Sequence, residues 1–168
     1  MREVTVAATQ MACSEDTRAN IDKAKDLINK CASGGAQIIL IQELFESVYF
    51  PCLNDPKNFE LAKPFDNNPL LNEMSDLAKE LGVVLPMSFF EQDNNTYYNS
   101  LAMIDADGKI LDIYRKSHIP DGPVYEEKYY FHPGNTGFKV FNTAFGKIGT
   151  GICCYQWFPE VARIMTLN

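Results

Sequence analysis

The chain has 168 residues, 46% of them hydrophobic and 22% charged, which is enough for one domain with its own core. A formal net charge of −7 opposes a phosphate-backbone partner, so nucleic acid is set aside. No apolar run approaches a membrane span, and the start MREVTVAATQ is unlike a secretion signal, so a cytoplasmic, membrane-free setting is expected.

Residues 3–9 alternate and are rich in β-formers, which predicts a strand. Ser14 or Asp16 then offers an N-cap to a helix whose Ile21, Ala24, Ile28 and Cys31 share one face, with Leu27 beside them. Gly34-Gly35 ends that helix. Residues 36–42, AQIILIQ, form a nearly continuous apolar run, the mark of a strand covered on both faces. Strand, helix and buried strand in this order make a βαβ unit. Residues 44–66 read as irregular, with Pro51, Pro56 and Pro64. A second helix is predicted over Pro69–Leu81, and Gly82 begins another buried strand, VVLPMSFFE. Residues 97–104 and 109–115 alternate around Asp107-Gly108, a hairpin signal. A long loop with one helical turn follows over 116–137. Residues 138–141 and 147–152 form a further strand pair, and Pro159 opens the last helix, where the first turn has no partner for an N–H. The class is α/β.

Three residues each end a predicted strand, where loops of an α/β sheet build sites. Glu43 follows AQIILIQ, Lys116 follows KILDIYR and Cys153 follows GKIGTGI. Each also has an ordinary reading. Glu43 fits a solvent-facing charge as well as a general base in a poorly solvated pocket. Arg115-Lys116 fits a surface basic pair, although an ammonium near a reacting carbonyl would stabilise an oxyanion. Cys153 fits a structural thiol, or a nucleophile whose pKa is lowered by the helix that follows it. His118 is available for a Cys–His pair, but a lone histidine is more often structural. The five cysteines include no CxxC pair, and with only His118 and His132 beside them no metal site is expected. A disulfide between the adjacent Cys153 and Cys154 would strain its ring, which disfavours a redox switch.

Taken together, QELF around Glu43, YRKSHIPDG around Lys116 and GICCYQWFPE around Cys153 resemble the nitrilase (carbon–nitrogen hydrolase) superfamily. SFFE, YYNSLAMIDADG and DGPVYEEKYYFHPGNTGFKV extend the match over essentially the whole chain, and it is most similar to the N-carbamoylputrescine amidase branch. The resemblance implies an α-β-β-α sandwich, of which this chain is the N-terminal portion of a single carbon–nitrogen hydrolase domain. It implies Glu43 as base, Lys116 as oxyanion stabiliser and Cys153, four residues before Trp157, as nucleophile. Glu127, Tyr49 and Trp157 are the implied substrate-binding residues. It implies no cofactor, a small carbamoyl-amine or amide substrate, and a homo-oligomer at full length. Four residues depart from the pattern: Cys154 for tryptophan, Tyr155 for aspartate, Val124 for glycine and Glu126 for the branch's usual glutamine. The implied reaction takes N-carbamoylputrescine and water to putrescine, carbon dioxide and ammonia. A β-ureidopropionase or aliphatic amidase of the same superfamily is the alternative enzyme. A different class of reading is a silent chain acting by association through an open sheet edge.

Overall fold

The computed structural model describes residues 3–168; Met1 and Arg2, which open the N-terminal stretch, lie outside them. The βαβ unit consists of β1 (Val6–Ala8), α1 (Thr17–Ser33) and β2 (Ile38–Leu40), with the two strands parallel. Of the two candidate caps, Asp16 serves, its carboxylate accepting the Ala19 N–H at 3.0 Å. Ser14 instead donates its backbone N–H to Asn20 Oδ1 at 2.8 Å. Ile21, Ala24 and Ile28 are buried, and Cys31 packs half-buried against the same core. Both strands are shorter than their apolar runs. Only their centres find ladder partners: β1 meets β2 alone, and β2 reaches the next strand through an Ile38–Val84 bridge.

Helix α2 (Pro69–Leu81) has the predicted bounds, with Asn68 accepting two N–H groups at its start and Gly82 in the left-handed region (φ 65°) at its end. An antiparallel meander follows, made of β3 (Leu85–Asp93), β4 (Thr96–Ile104) and β5 (Ile110–Arg115). Side chains alternate across it, as the period-two pattern requires. Leu85, Met87, Phe89, Ala102 and Ile104 pack with α1 and α2. Leu101, Met103 and Tyr114 pack on the opposite face with Phe141, Ile152, Tyr155 and Val161. That second layer comprises β6 (Val140–Thr143), β7 (Gly146–Gly149) and α3 (Pro159–Leu167). The layers therefore run helix, sheet, sheet, helix.

One prediction is corrected here. The buried strand expected to reach Ile152 ends at Gly149, and β7 is largely exposed. Its partner β6 begins at Val140, so no ladder remains for the stretch beyond Thr150. Ile152 alone turns inward.

A third apolar cluster ties down the two loops that flank the strand ends. Phe50, at the start of a 3₁₀ turn inside the irregular stretch, stacks on Phe90 at 5.0 Å and meets Tyr130 edge-on at 4.9 Å. Phe59, Ile119 and Phe131 complete it. Each aromatic pair of this kind contributes about 0.5–1.5 kcal/mol beyond its buried area.

Behind this cluster, a cavity of about 50 Å³ is lined by Glu46 together with Leu44, Phe50, Leu61, Lys63 and Phe90. Burial pushes the Glu46 carboxyl up to about 7, with Lys63 opposing. The folded chain thus keeps this proton over a range in which the unfolded chain releases it. Stability falls as pH rises from about 4.5 toward 7 and levels off above, a difference of about 3 kcal/mol. Glu46→Gln is expected to raise the unfolding free energy at pH 8 by that order and to flatten its slope between pH 5 and 7. Urea unfolding across that range measures both.

Candidate active site

Glu43 lies three residues beyond the end of β2, in a turn in which Leu44 takes φ 53°. The Leu44 N–H donates to Ser88 Oγ on β3 at 3.0 Å, which fastens this turn to the sheet. Lys116 directly follows β5 and is wholly buried. Its N–H donates to the Asn99 carbonyl at 2.9 Å, and its own carbonyl accepts the Gly134 N–H at 2.8 Å. With its backbone held on both sides, its Nζ donates to Glu43 Oε1 at 2.9 Å and to Glu127 Oε2 at 2.6 Å. Glu127, also fully buried, opens the short 3₁₀ turn Glu127–Tyr129, the one helical turn expected in the long loop. The Tyr49 hydroxyl donates to Glu127 Oε1 at 2.6 Å. Asn99 Nδ2 donates to Glu43 Oε1, also at 2.6 Å.

Cys153 opens the 3₁₀ turn Cys153–Trp157 at φ 53°. For a non-glycine residue this left-handed backbone costs about 1–2 kcal/mol, and such strain clusters at functional sites. Its Sγ and one carboxylate oxygen each of Glu43 and Glu127 all lie within 4.8 Å of one another. These three groups are a cluster that could in principle hold a cation. The Lys116 ammonium already donates to both carboxylates and meets their charge from within. An adjoining cavity of about 180 Å³ is bounded by Ile41, Glu43, Ser88, Leu101, Ile152 and Cys153.

The electrostatics follow from this packing. Burial by itself would push the Lys116 ammonium down, but the charges and hydrogen bonds of Glu43 and Glu127 outweigh it and the net direction is up. Lys116 is therefore held charged. Burial pushes Glu127 up against the opposing donors Lys116 and Tyr49. Tyr49 is raised too, first by burial and then by its bond to Glu127, so it stays a donor. The Cys153 thiol corrects a second expectation. Its pKa is raised, not lowered: desolvation acts first, Glu43 and Glu127 add to it, and Lys116 opposes. The residue as a whole remains open to solvent. Helix α3 starts only at Pro159, beyond the 3₁₀ turn, so its N-terminus does not meet the thiol.

Six residues named from the sequence thus separate into two groups. Glu43, Lys116, Glu127, Tyr49 and Cys153 converge; Trp157 does not, its side chain standing 78% exposed at the far end of the turn. His118 makes no Cys–His pair. Its ring stacks on Phe158 at 4.7 Å, and Cys154 Sγ reaches its backbone carbonyl. Arg115 is no surface charge either: it is buried over the Tyr98 ring and bonded to Glu91 and Asp93. Sequence reasoning passed over Ser88, Glu91 and Asn99. Their signal was a polar residue at an inward position of an otherwise apolar strand, in SFFE and YYNS.

Residues 5–168 match the carbon-nitrogen hydrolase family model, and the chain belongs to that family. It is 58% identical to an N-carbamoylputrescine amidase of Arabidopsis thaliana over 99% of this chain and 56% of the relative. It is 48% identical to a citrullinase of Francisella tularensis over 100% of this chain and 59% of that one. Among solved structures, a carbon-nitrogen hydrolase from Helicobacter pylori superposes with a TM-score of 0.89 at 35% identity, covering 98% of this chain and 56% of that one. The chain thus spans between half and two thirds of the length of these relatives. No helix among the described residues is long and apolar enough to cross a membrane.

Tyr155, one of the departures noted above, is buried in edge contact with Tyr114 at 5.8 Å. The two hydroxyls approach each other and Ser117 without reaching hydrogen-bond geometry. A buried polar group without a partner costs about 1–3 kcal/mol. Tyr155→Phe removes one such group and keeps the ring. Its thermal midpoint is expected to match or exceed that of the parent chain, as read by calorimetry, whereas Tyr155→Ala is expected to lose about 3–5 kcal/mol through the cavity it opens.

Proposed function

We propose that Glu43, Lys116 and Cys153 hydrolyse a terminal ureido group, with N-carbamoylputrescine as substrate. The observation that carries this reading is the arrangement of one buried ammonium bonded to two carboxylates, with a thiol sulfur within 4.8 Å of both. A thiol whose own pKa is raised needs a base to become a nucleophile, and Glu43 stands within reach.

In this reading Glu43 takes the Cys153 proton as sulfur attacks the ureido carbon. The carbonyl oxygen gains the negative charge, and the Lys116 ammonium stabilises it. When the tetrahedral adduct collapses, the terminal C–N bond breaks and ammonia leaves with the proton returned by Glu43. An S-carbamoyl thioester remains on Cys153. Water, deprotonated by Glu43, attacks the same carbon and expels the thiol. The released carbamate then loses carbon dioxide to give the free amine. Glu127, kept in place by Tyr49 and Lys116, orients the ammonium throughout.

The substrate assignment leans on the relatives. The names of the Arabidopsis and Francisella proteins both point to ureido compounds, and the first carries a cationic tail that suits a net charge of −7. Identity to the citrullinase favours citrulline as the second reading.

Ammonia release from N-carbamoylputrescine and from citrulline tests both. Faster release from the first is expected, and release from neither counts against the ureido assignment. Cys153→Ser is expected to abolish turnover, while Cys154→Ser, whose sulfur faces the His118 carbonyl, keeps it within a few-fold. Equal loss in the two variants would overturn the choice of nucleophile.

A further inference from the structure

We propose that Asn99 is a positioning residue for the general base, holding one oxygen of Glu43 so that only the other is free to accept the thiol proton. This rests on the reading of Glu43 as base. Glu43 Oε1 accepts two donors, Asn99 Nδ2 at 2.6 Å and Lys116 Nζ at 2.9 Å. Two short bonds from neighbouring strands, β4 and the end of β5, fill the lone pairs of that oxygen and fix the plane of the carboxylate. Oε2 is the remaining acceptor.

Two further observations separate this from ordinary packing. Asn99 is wholly buried, yet its Oδ1 has no hydrogen-bond partner among the described residues. A site chosen for stability alone would not carry an amide with one end unsatisfied, because an apolar side chain of the same size avoids that cost. Among the described residues, the only bond its side chain makes is the one to Glu43. In addition, the Asn99 carbonyl accepts the Lys116 N–H, so this one residue of β4 sets the place of both the base and the ammonium. The ionisable groups around Glu43 are Lys116 at the end of β5, Glu127 on its 3₁₀ turn, Tyr49 on the preceding loop, and Cys153 and Cys154 on the nucleophile turn. Asn99 is the neutral donor among them.

The test reads Cys153 alkylation by iodoacetamide against pH, resolved by peptide mass spectrometry, with exposed Cys52 of the same chain as reference. Glu43→Gln removes a carboxylate that holds the thiol proton on, so it should move the Cys153 profile to lower pH. Asn99→Leu, of similar volume and with no donor, should move the profile the same way by less, because the released carboxylate is no longer held beside the sulfur. Asn99→Ala serves if the leucine variant does not keep a cooperative unfolding transition. A profile that stays in place in a folded Asn99 variant, while Glu43→Gln moves it, overturns the role of Asn99 alone. A profile that Glu43→Gln leaves in place overturns the base assignment and Asn99 with it. Because labelling needs no turnover, a chain that releases no ammonia from either ureido compound still shows whether Asn99 acts on the carboxylate.

Discussion

A lysine ammonium with no exposure to water is the constraint around which the rest of the site is arranged. Leaving such a charge unpaired in the interior would cost several kcal/mol, so two carboxylates must reach it. Glu43 and Glu127 lie 84 residues apart in the chain and come from opposite sides of Lys116. Each is in turn held by a neutral donor, Asn99 for the first and Tyr49 for the second. Four segments must converge for this to happen: the turn after β2, the inward face of β4, the end of β5 and the loop ending in the Glu127 turn. The aromatic cluster of Phe50, Phe90, Tyr130 and Phe131 supplies the packing that holds the two loops against the strand ends.

The same ammonium also enters the electrostatic balance at the thiol. Two carboxylates near Cys153 hold its proton on, and a single ammonium opposes them. A thiol in that balance becomes nucleophilic when a base removes its proton as the new bond forms, which is the task the proposed mechanism gives Glu43. The left-handed backbone at Cys153 and at Leu44 lies in the turns, beyond the ends of β7 and β2, that carry Cys153 and Glu43.

Much of this was legible in the residues alone. Local signals sufficed for α2, where an asparagine cap, a proline at the first helical position and a glycine in the left-handed region left little freedom. They sufficed for the meander as well, whose alternation and Asp-Gly turn depend on neighbours in sequence. The motifs around Glu43, Lys116 and Cys153 marked three of the converging groups because each ends an apolar run. Local patterns could not tell which polar residues would be inside. Arg115 reads as surface in a one-dimensional pattern and is buried because Glu91 stands across the sheet from it. Asn99 reads as one more alternating strand position, and its importance comes from Glu43, 56 residues away.

The Cys153 region divides in the same way. The family resemblance, through the spacing to Trp157, marked Cys153, since a motif depends on covalent sequence. The sign of its pKa shift was misread, because the expected helix N-terminus is displaced to Pro159 and two carboxylates from distant segments take its place. The end of β7 was misplaced for a related reason: a strand extends only as far as a partner continues beside it, and β6 begins too late to pair with the stretch after Thr150. Propensity and periodicity act between residues close along the chain, and they set the elements and the candidate reactive groups. Electrostatic environment and strand length are properties of what lies across space, and only the folded arrangement specifies them.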